Sequence, residues 1–169
     1  MADRNPPATN PEDLHLRTIM VPVDFSENAM GAVDYAVKLG KQFGSRLVLV
    51  HIYHFPVELL TDWSAYGTLA GSGELLEALR KEREQQLSAL AAEKAASGLE
   101  IATRVLEGTP FSEIVKAARA EKADILIMGT RGLTGMKHVL IGSTAEKVVR
   151  KAPCPVLVLK PENFDFQMP

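Results

Sequence analysis

The chain predicts an α/β fold: a single doubly wound domain with a five-stranded parallel sheet, order 3-2-1-4-5, and helices on both faces. Three observations carry this reading. Short apolar runs, the mark of strands buried on both faces, recur along the chain. Stretches with helical periodicity separate them. Capping residues and Gly or Pro stop signals fall at the junctions.

The first ordered run is Thr18-Ile19-Met20-Val21-Pro22-Val23, followed by Asp24-Phe25-Ser26. Ser26 suits an N-cap, and Met30, Val33, Val37 and Gly40, with Ala29, Ala32 and Ala36 beside them, form a helical stripe that ends at Gly44. Arg46 to Ile52 is a second buried strand. Phe55 to Gly73 has no period, contains Trp63 and Tyr66, and reads as a long connection. Glu74 to Ser97 is helical, with Leu76, Leu79, Leu87 and Leu90 on one stripe, and Gly98 stops it. Ile101, Thr103 and Val105 alternate with polar neighbours in Glu100 to Leu106, the pattern of a half-exposed edge strand. Thr109-Pro110 opens the next helix, whose buried face is Phe111, Ile114, Val115 and Ala118. Asp124 to Met128 is an apolar, central strand. The segment Gly129 to Gly142 is a loop, Ser143 to Lys151 a last helix with Ser143 as its cap, and Val156 to Leu159 the fifth strand. Residues 1–15 and 161–169 read as tails, the first of them flexible, so the folded domain spans 16–160.

Composition narrows the function classes. Among 169 residues, 46% are apolar and 24% charged, the net charge is −2, and Lys and Arg are scattered. No basic stripe supports nucleic acid or an anionic membrane as partner. The single cysteine, Cys154, excludes an internal disulfide or a multi-cysteine metal site and reads as a packing residue. The histidines show no metal-ligand spacing. No apolar stretch approaches the roughly 20 residues that span a bilayer, and the N-terminus lacks a signal-peptide core. The expectation is a cytoplasmic protein without membrane insertion.

Ligands of doubly wound sheets lie beyond the carboxyl ends of the strands, where strand order reverses. In the predicted order, strand one ending Val23-Asp24 and strand four ending Met128-Gly129 are neighbours and face one crevice. The loop between strand four and the last helix carries Gly129, Gly132, Gly135 and Gly142. Glycines let backbone approach a ligand closely, and a helix N-terminus attracts anions. Ser143 and Thr144 offer hydroxyl donors and Arg131 a guanidinium, a set suited to phosphate. Asp24 also suits an Asx-turn or a cap of the first helix, but its place at the carboxyl end of strand one favours a ligand contact. His51, inside an apolar run, reads as a hydrogen-bonded core histidine.

The spacing Gly129-x2-Gly132-x9-Gly142-Ser143 resembles the nucleotide-binding signature of the universal stress protein family. Val21-Pro22-Val23-Asp24-Phe25-Ser26, His51 and Pro153-Cys154-Pro155-Val156-Leu157-Val158 are similar to that family too. The resemblance implies that the chain binds ATP, as members with this glycine pattern do. It places Pro22, Val23 and Ile52 at the adenine with Met128 closing the pocket. It places Asp24 at the ribose or a Mg2+ ion, and Gly129, Arg131, Gly132, Gly142, Ser143 and Thr144 at the phosphates. It also implies a homodimer, and the apolar edge at 156–159 is the place for it. The function expected is a nucleotide-dependent regulatory, stress-response module with slow or no hydrolysis. The alternatives are a slow ATPase or a structural dimer module with a vestigial pocket. No catalytic residue is assigned. Walker-type and dinucleotide glycine fingerprints are missing.

Overall fold

A computed structural model of the chain describes residues 15–53, 72–130 and 141–160. The segments expected as tails (apart from His15), the Trp63 and Tyr66 connection, His54, His138, Arg131 and Gly132 lie outside the described residues, as does the side chain of Leu76.

The elements alternate: β1 (Thr18–Pro22), α1 (Glu27–Phe43), β2 (Arg46–Tyr53), α2 (Ser72–Ala95), β3 (Ile101–Glu107), α3 (Pro110–Ala120), β4 (Ile125–Gly129), α4 (Ser143–Lys151) and β5 (Val156–Leu159). The strands form one parallel sheet in the order β3-β2-β1-β4-β5. That is the predicted architecture. Each parallel pair needs a crossover, and a helix is the compact way to satisfy the crossover's backbone while burying a face of the sheet.

The side chains divide between the two faces. Ile19, Val21, Leu47, Leu49 and Ile127 pack against Ala32, Val33 and Ala36 of α1 and Leu87 and Leu90 of α2. Met20, Val48, Val50, Leu126 and Met128 pack against Ile114, Ala117 and Ala118 of α3 and Ala145 and Val148 of α4. Strand alternation therefore sends neighbouring residues of β1 and β2 into two separate cores. Small residues bring α1 close: an added Cβ at Gly40 would lie 2.6 Å from Leu47 Cδ1. At the amino end of the sheet, Asp124 Oδ2 accepts hydrogen bonds from the backbone N–H groups of Arg17 and Thr18, both 2.8 Å, which ties the start of β1 to β4.

Several boundaries depart from expectation. α2 starts at Ser72, two residues before Glu74, and ends at Ala95. β3 is an edge strand as expected, but its alternation does not expose one face. Ile101 and Val105 join one core while Ala102 and Leu106 join the other, because crossover helices cover both sides of a parallel sheet. The cap of α4 is Gly142, with extended φ −69° and ψ 153°, and Ser143 is the first helical residue. The Gly142 carbonyl already accepts the first helical bond, from Glu146 N–H at 2.9 Å, so the helix begins one residue earlier than a Ser143 cap requires.

The ends of α1 match the sequence. Ser26 Oγ accepts from Ala29 N–H, and Gly44 closes the helix at φ +65° with no atom within 4 Å of an added Cβ. The open space makes Gly44→Ala a measure of backbone conformation alone, with an expected cost of about 1 kcal/mol. Leu126→Ala, in a fully buried site, should cost about 2–5 kcal/mol. Denaturant midpoints at unchanged m-value check both, and equal losses would contradict this division.

Candidate functional site

The reversal of strand order lies between β1 and β4, since β1 leads to β2 on one side and the chain later returns to β4 on the other. Above the carboxyl ends of these strands is a cleft of about 270 Å³. That is close to the lower end of ligand-pocket volumes, roughly 300–1,000 Å³. Every site residue predicted from sequence and described here lines it: Pro22, Val23, Asp24, Ile52, Met128, Gly129, Gly142, Ser143 and Thr144. They come from four separate elements and the turn after β1, and the topology gathers them at one edge.

The turn after β1 is held on both sides. Asp24 Oδ1 accepts hydrogen bonds from Ser26 N–H at 3.0 Å and Ser26 Oγ at 2.6 Å, so the Asx-turn foreseen as one role for Asp24 is present. Phe25 between them has φ +62°, in the left-handed region that costs a non-glycine residue about 1 kcal/mol or more. The Phe25 ring lies 5.0 Å from that of His51. His51 Nδ1 is 2.7 Å from the Val23 carbonyl, and Val23 N–H donates to the Val50 carbonyl at 2.8 Å. A carbonyl can only accept, so Nδ1 carries the proton. His51 is thus the core histidine the sequence suggested, and it fixes the carbonyl that precedes Asp24.

Gly129 has a packing reason to be glycine. A Cβ there would lie 2.9 Å from Asn28 Cβ and 3.2 Å from Asn28 backbone atoms, so α1 sits directly on the end of β4. A Cβ at Gly142 would lie 3.2 Å from the Thr130 carbonyl, which accepts Gly142 N–H at 2.7 Å. The N–H groups of Ser143, Thr144 and Ala145 precede the first intrahelical bond of α4. With the helix dipole they make this end of the cleft favourable to negative charge.

Five lining residues escaped the sequence reading: Ala29, Pro110, Ile114, Thr130 and Ala145. Pro110 and Ile114 belong to α3, which enters above the same sheet edge because every strand of a parallel sheet delivers its following helix there. That topological rule was the available signal. Thr130 was marked by its place directly after β4. Cys154 is half-buried against the α3–α4 core, and burial pushes its thiol pKa up, consistent with packing. Among the described residues no cluster of three His, Cys, Asp or Glu side chains could hold a metal, and no helix is long and apolar enough to cross a membrane.

The model of the universal stress protein family matches residues 15–160. Universal stress protein MJ0531 of Methanocaldococcus jannaschii is 36% identical over 154 residues, covering 89% of this chain and 85% of the relative. The solved structure of MJ0577, a second universal stress protein of that organism, superposes with a TM-score of 0.76 at 29% identity, covering 89% of this chain and 99% of the other. The fold is shared with a universal stress protein solved in complex with cAMP (TM-score 0.57, 23% identity, 87% and 98% covered). It is shared as well with one from Archaeoglobus fulgidus in complex with dAMP (TM-score 0.56, 20% identity, 85% and 97% covered).

Burial pushes the His51 pKa below its ordinary 6.5, against the opposing pull of the Val23 carbonyl. The folded pKa is lower than the unfolded one, so this contribution is complete above about pH 6.5 and is lost as pH falls toward the folded pKa. Denaturant unfolding of wild type and His51→Gln between pH 7.5 and 5 should show the wild-type advantage shrinking with acid. Parallel pH curves would contradict the assignment.

Proposed function

The chain belongs to the universal stress protein family, and on that premise we propose that its cleft binds an adenine nucleotide, ATP foremost, as a nucleotide-dependent regulatory module of stress response. One observation carries the reading: apolar groups from β1, β2 and β4 and the amino end of α4 line the same cleft at the sheet's switch point. Pro22, Val23, Ile52 and Met128 offer a surface for the base. Gly142, Ser143 and Thr144 offer donors for phosphate. Arg131 and Gly132, outside the described residues, complete the phosphate set by the family's glycine signature. The nucleotides held by the cAMP- and dAMP-bound relatives agree in chemical class.

A Mg2+ ion fits the donor set in a limited way. Asp24 supplies one carboxylate, and Mg2+ commonly takes one or two carboxylates with substrate phosphates and water. The ion would neutralise phosphate charge, and Asp24 would hold it beside the turn. Slow hydrolysis or none is the reading that the same inventory supports. Asp24 is the one carboxylate among the described lining residues, and its Oδ1 is engaged by Ser26. Orienting a water for attack calls for a group placed for that task.

ATP at about 100 times its Kd should add about 2.7 kcal/mol of stability and raise the melting temperature by roughly 5–10 °C. Asp24→Asn keeps an acceptor for Ser26 and should lose the part of the shift that depends on Mg2+. No shift with ATP, and no nucleotide found by mass spectrometry in gently purified protein, would overturn the reading.

The same chain offers β5 for a homodimer. Among the described residues its Val156–Leu159 edge pairs with β4 on one side only, and Val149 on α4 is 48% exposed. Antiparallel pairing of two β5 edges would cover that strand. Light scattering should give twice the chain mass, and a monomer at micromolar concentration would contradict this.

A further inference from the structure

The outer face of α3 and α4, away from the cleft, carries charge that no described residue balances. Lys147 Nζ lies 5.1 Å and Lys151 Nζ 5.8 Å from the centroid of the Phe111 ring, so two ammoniums of α4 converge on one aromatic ring of α3. Both lysines are exposed and Phe111 is half-buried. Like charges at this i,i+4 spacing repel. The carboxylates of the two helices are committed elsewhere. Glu113 pairs with Lys116 at 2.7 Å, Glu146 with Arg150 at 2.9 Å, and Glu121, the cap of α3, with Arg46 and Arg104. Among the described residues neither Lys147 nor Lys151 has a carboxylate partner. The complement of this patch is an occupant that brings carboxylates together with apolar groups.

The chain carries such an occupant. Residues 161–169 hold Glu162 and Asp165, no Lys or Arg, and the aromatic residues Phe164 and Phe166. Residues 1–14 are acidic too, but they include Arg4 and no aromatic residue. The point of attachment also favours 161–169. The Leu159 carbonyl accepts Thr130 N–H, and the Thr130 carbonyl accepts Gly142 N–H at the cap of α4. The segment thus begins just past a backbone bridge to the helix that holds both lysines. Lys151 is about 13 Å along the axis from Gly142, and residues 161–169 can reach about 30 Å when extended. A short tether of this kind replaces the entropy loss of association with a high effective concentration.

The geometry points to the face formed by Phe111, Lys147 and Lys151 as a docking surface for the chain's own segment 161–169. Glu162 and Asp165 supply the missing counter-charge, and Phe164 and Phe166 add apolar contact to the Phe111 ring. Docking there straps β5 to the outside of α3 and α4, the two helices whose amino ends line the cleft.

Paramagnetic broadening of backbone amide signals tests this on the full chain, with a nitroxide attached at Gln167→Cys in a Cys154→Ser background. The amides of Phe111, Lys147 and Lys151 should lose at least half their intensity while those of α1, on the opposite face, keep theirs. Lys147→Glu with Lys151→Glu should restore the lost intensity, and adding Glu162→Lys with Asp165→Lys should bring the broadening back. A second measurement needs no cysteine substitution: Glu162→Gln with Asp165→Asn in the otherwise native chain should shift the Lys147 and Lys151 amides. Weak, uniform broadening, broadening that survives the lysine reversal, or unmoved Lys147 and Lys151 amides would overturn the inference. So would comparable broadening when nitroxide and isotope label are on different chains, which would place the segment on a second copy.

Discussion

The hydrogen bond from His51 Nδ1–H to the Val23 carbonyl is the constraint on which the site's geometry turns. β1 must end where the sheet reverses, and the chain must then turn into α1 without closing the crevice. The turn does this with Phe25 in an unfavourable conformation, a cost accepted because neighbours determine it from both sides. His51 holds the carbonyl before the turn, and Asp24 and Ser26 bond within it. The Phe25 ring rests by the same imidazole. A buried neutral histidine thus links β2 to the end of β1, and Pro22, Val23 and Asp24 are presented to the cleft as a fixed wall.

The opposite wall is built by backbone. β4 ends at Gly129, where α1 comes too close to permit a side chain. Thr130 then connects β5 to the cap of α4 through its own N–H and C=O. The helix amides that face the cleft are positioned by this bridge, so the electropositive end of the site depends on sheet edges as well as on α4. The glycines at 129 and 142 have structural duties before any ligand is considered. Those duties and ligand access are compatible, because close packing and close approach both require the missing Cβ.

Much of this was legible in the sequence because the signals were local. Four apolar runs and one alternating strand, separated by amphipathic stretches, indicated strand number and parallel pairing, and Ser26 through its hydroxyl and Gly44 through its permissive backbone marked the ends of α1. The α4 cap was misplaced for an equally local reason. Side-chain preference favours serine at a cap, whereas here an extended glycine bonded to Thr130 takes the position. Pro110 and Ile114 were missed as cleft residues because crossover geometry brings α3 to the same cleft, and no periodicity records it; Thr130 was missed although it directly follows the predicted site residue Gly129. Asp24 forms the Asx-turn and also lines the cleft, so its structural role and the proposed ligand role are compatible.

Two ends of one sheet with different chemistry allow the central claim to be tested by location. The carboxyl edge holds Val23, Asp24, Met128, Gly129 and Ser143, while the amino edge holds Arg17, Arg46 and Asp124. Backbone amide NMR during ATP titration measures both edges at once. The account predicts saturable shifts at the carboxyl-edge amides and little change at Arg17, Arg46 and Asp124. Shifts centred on the amino edge, or no saturable shift at the carboxyl edge, would contradict it.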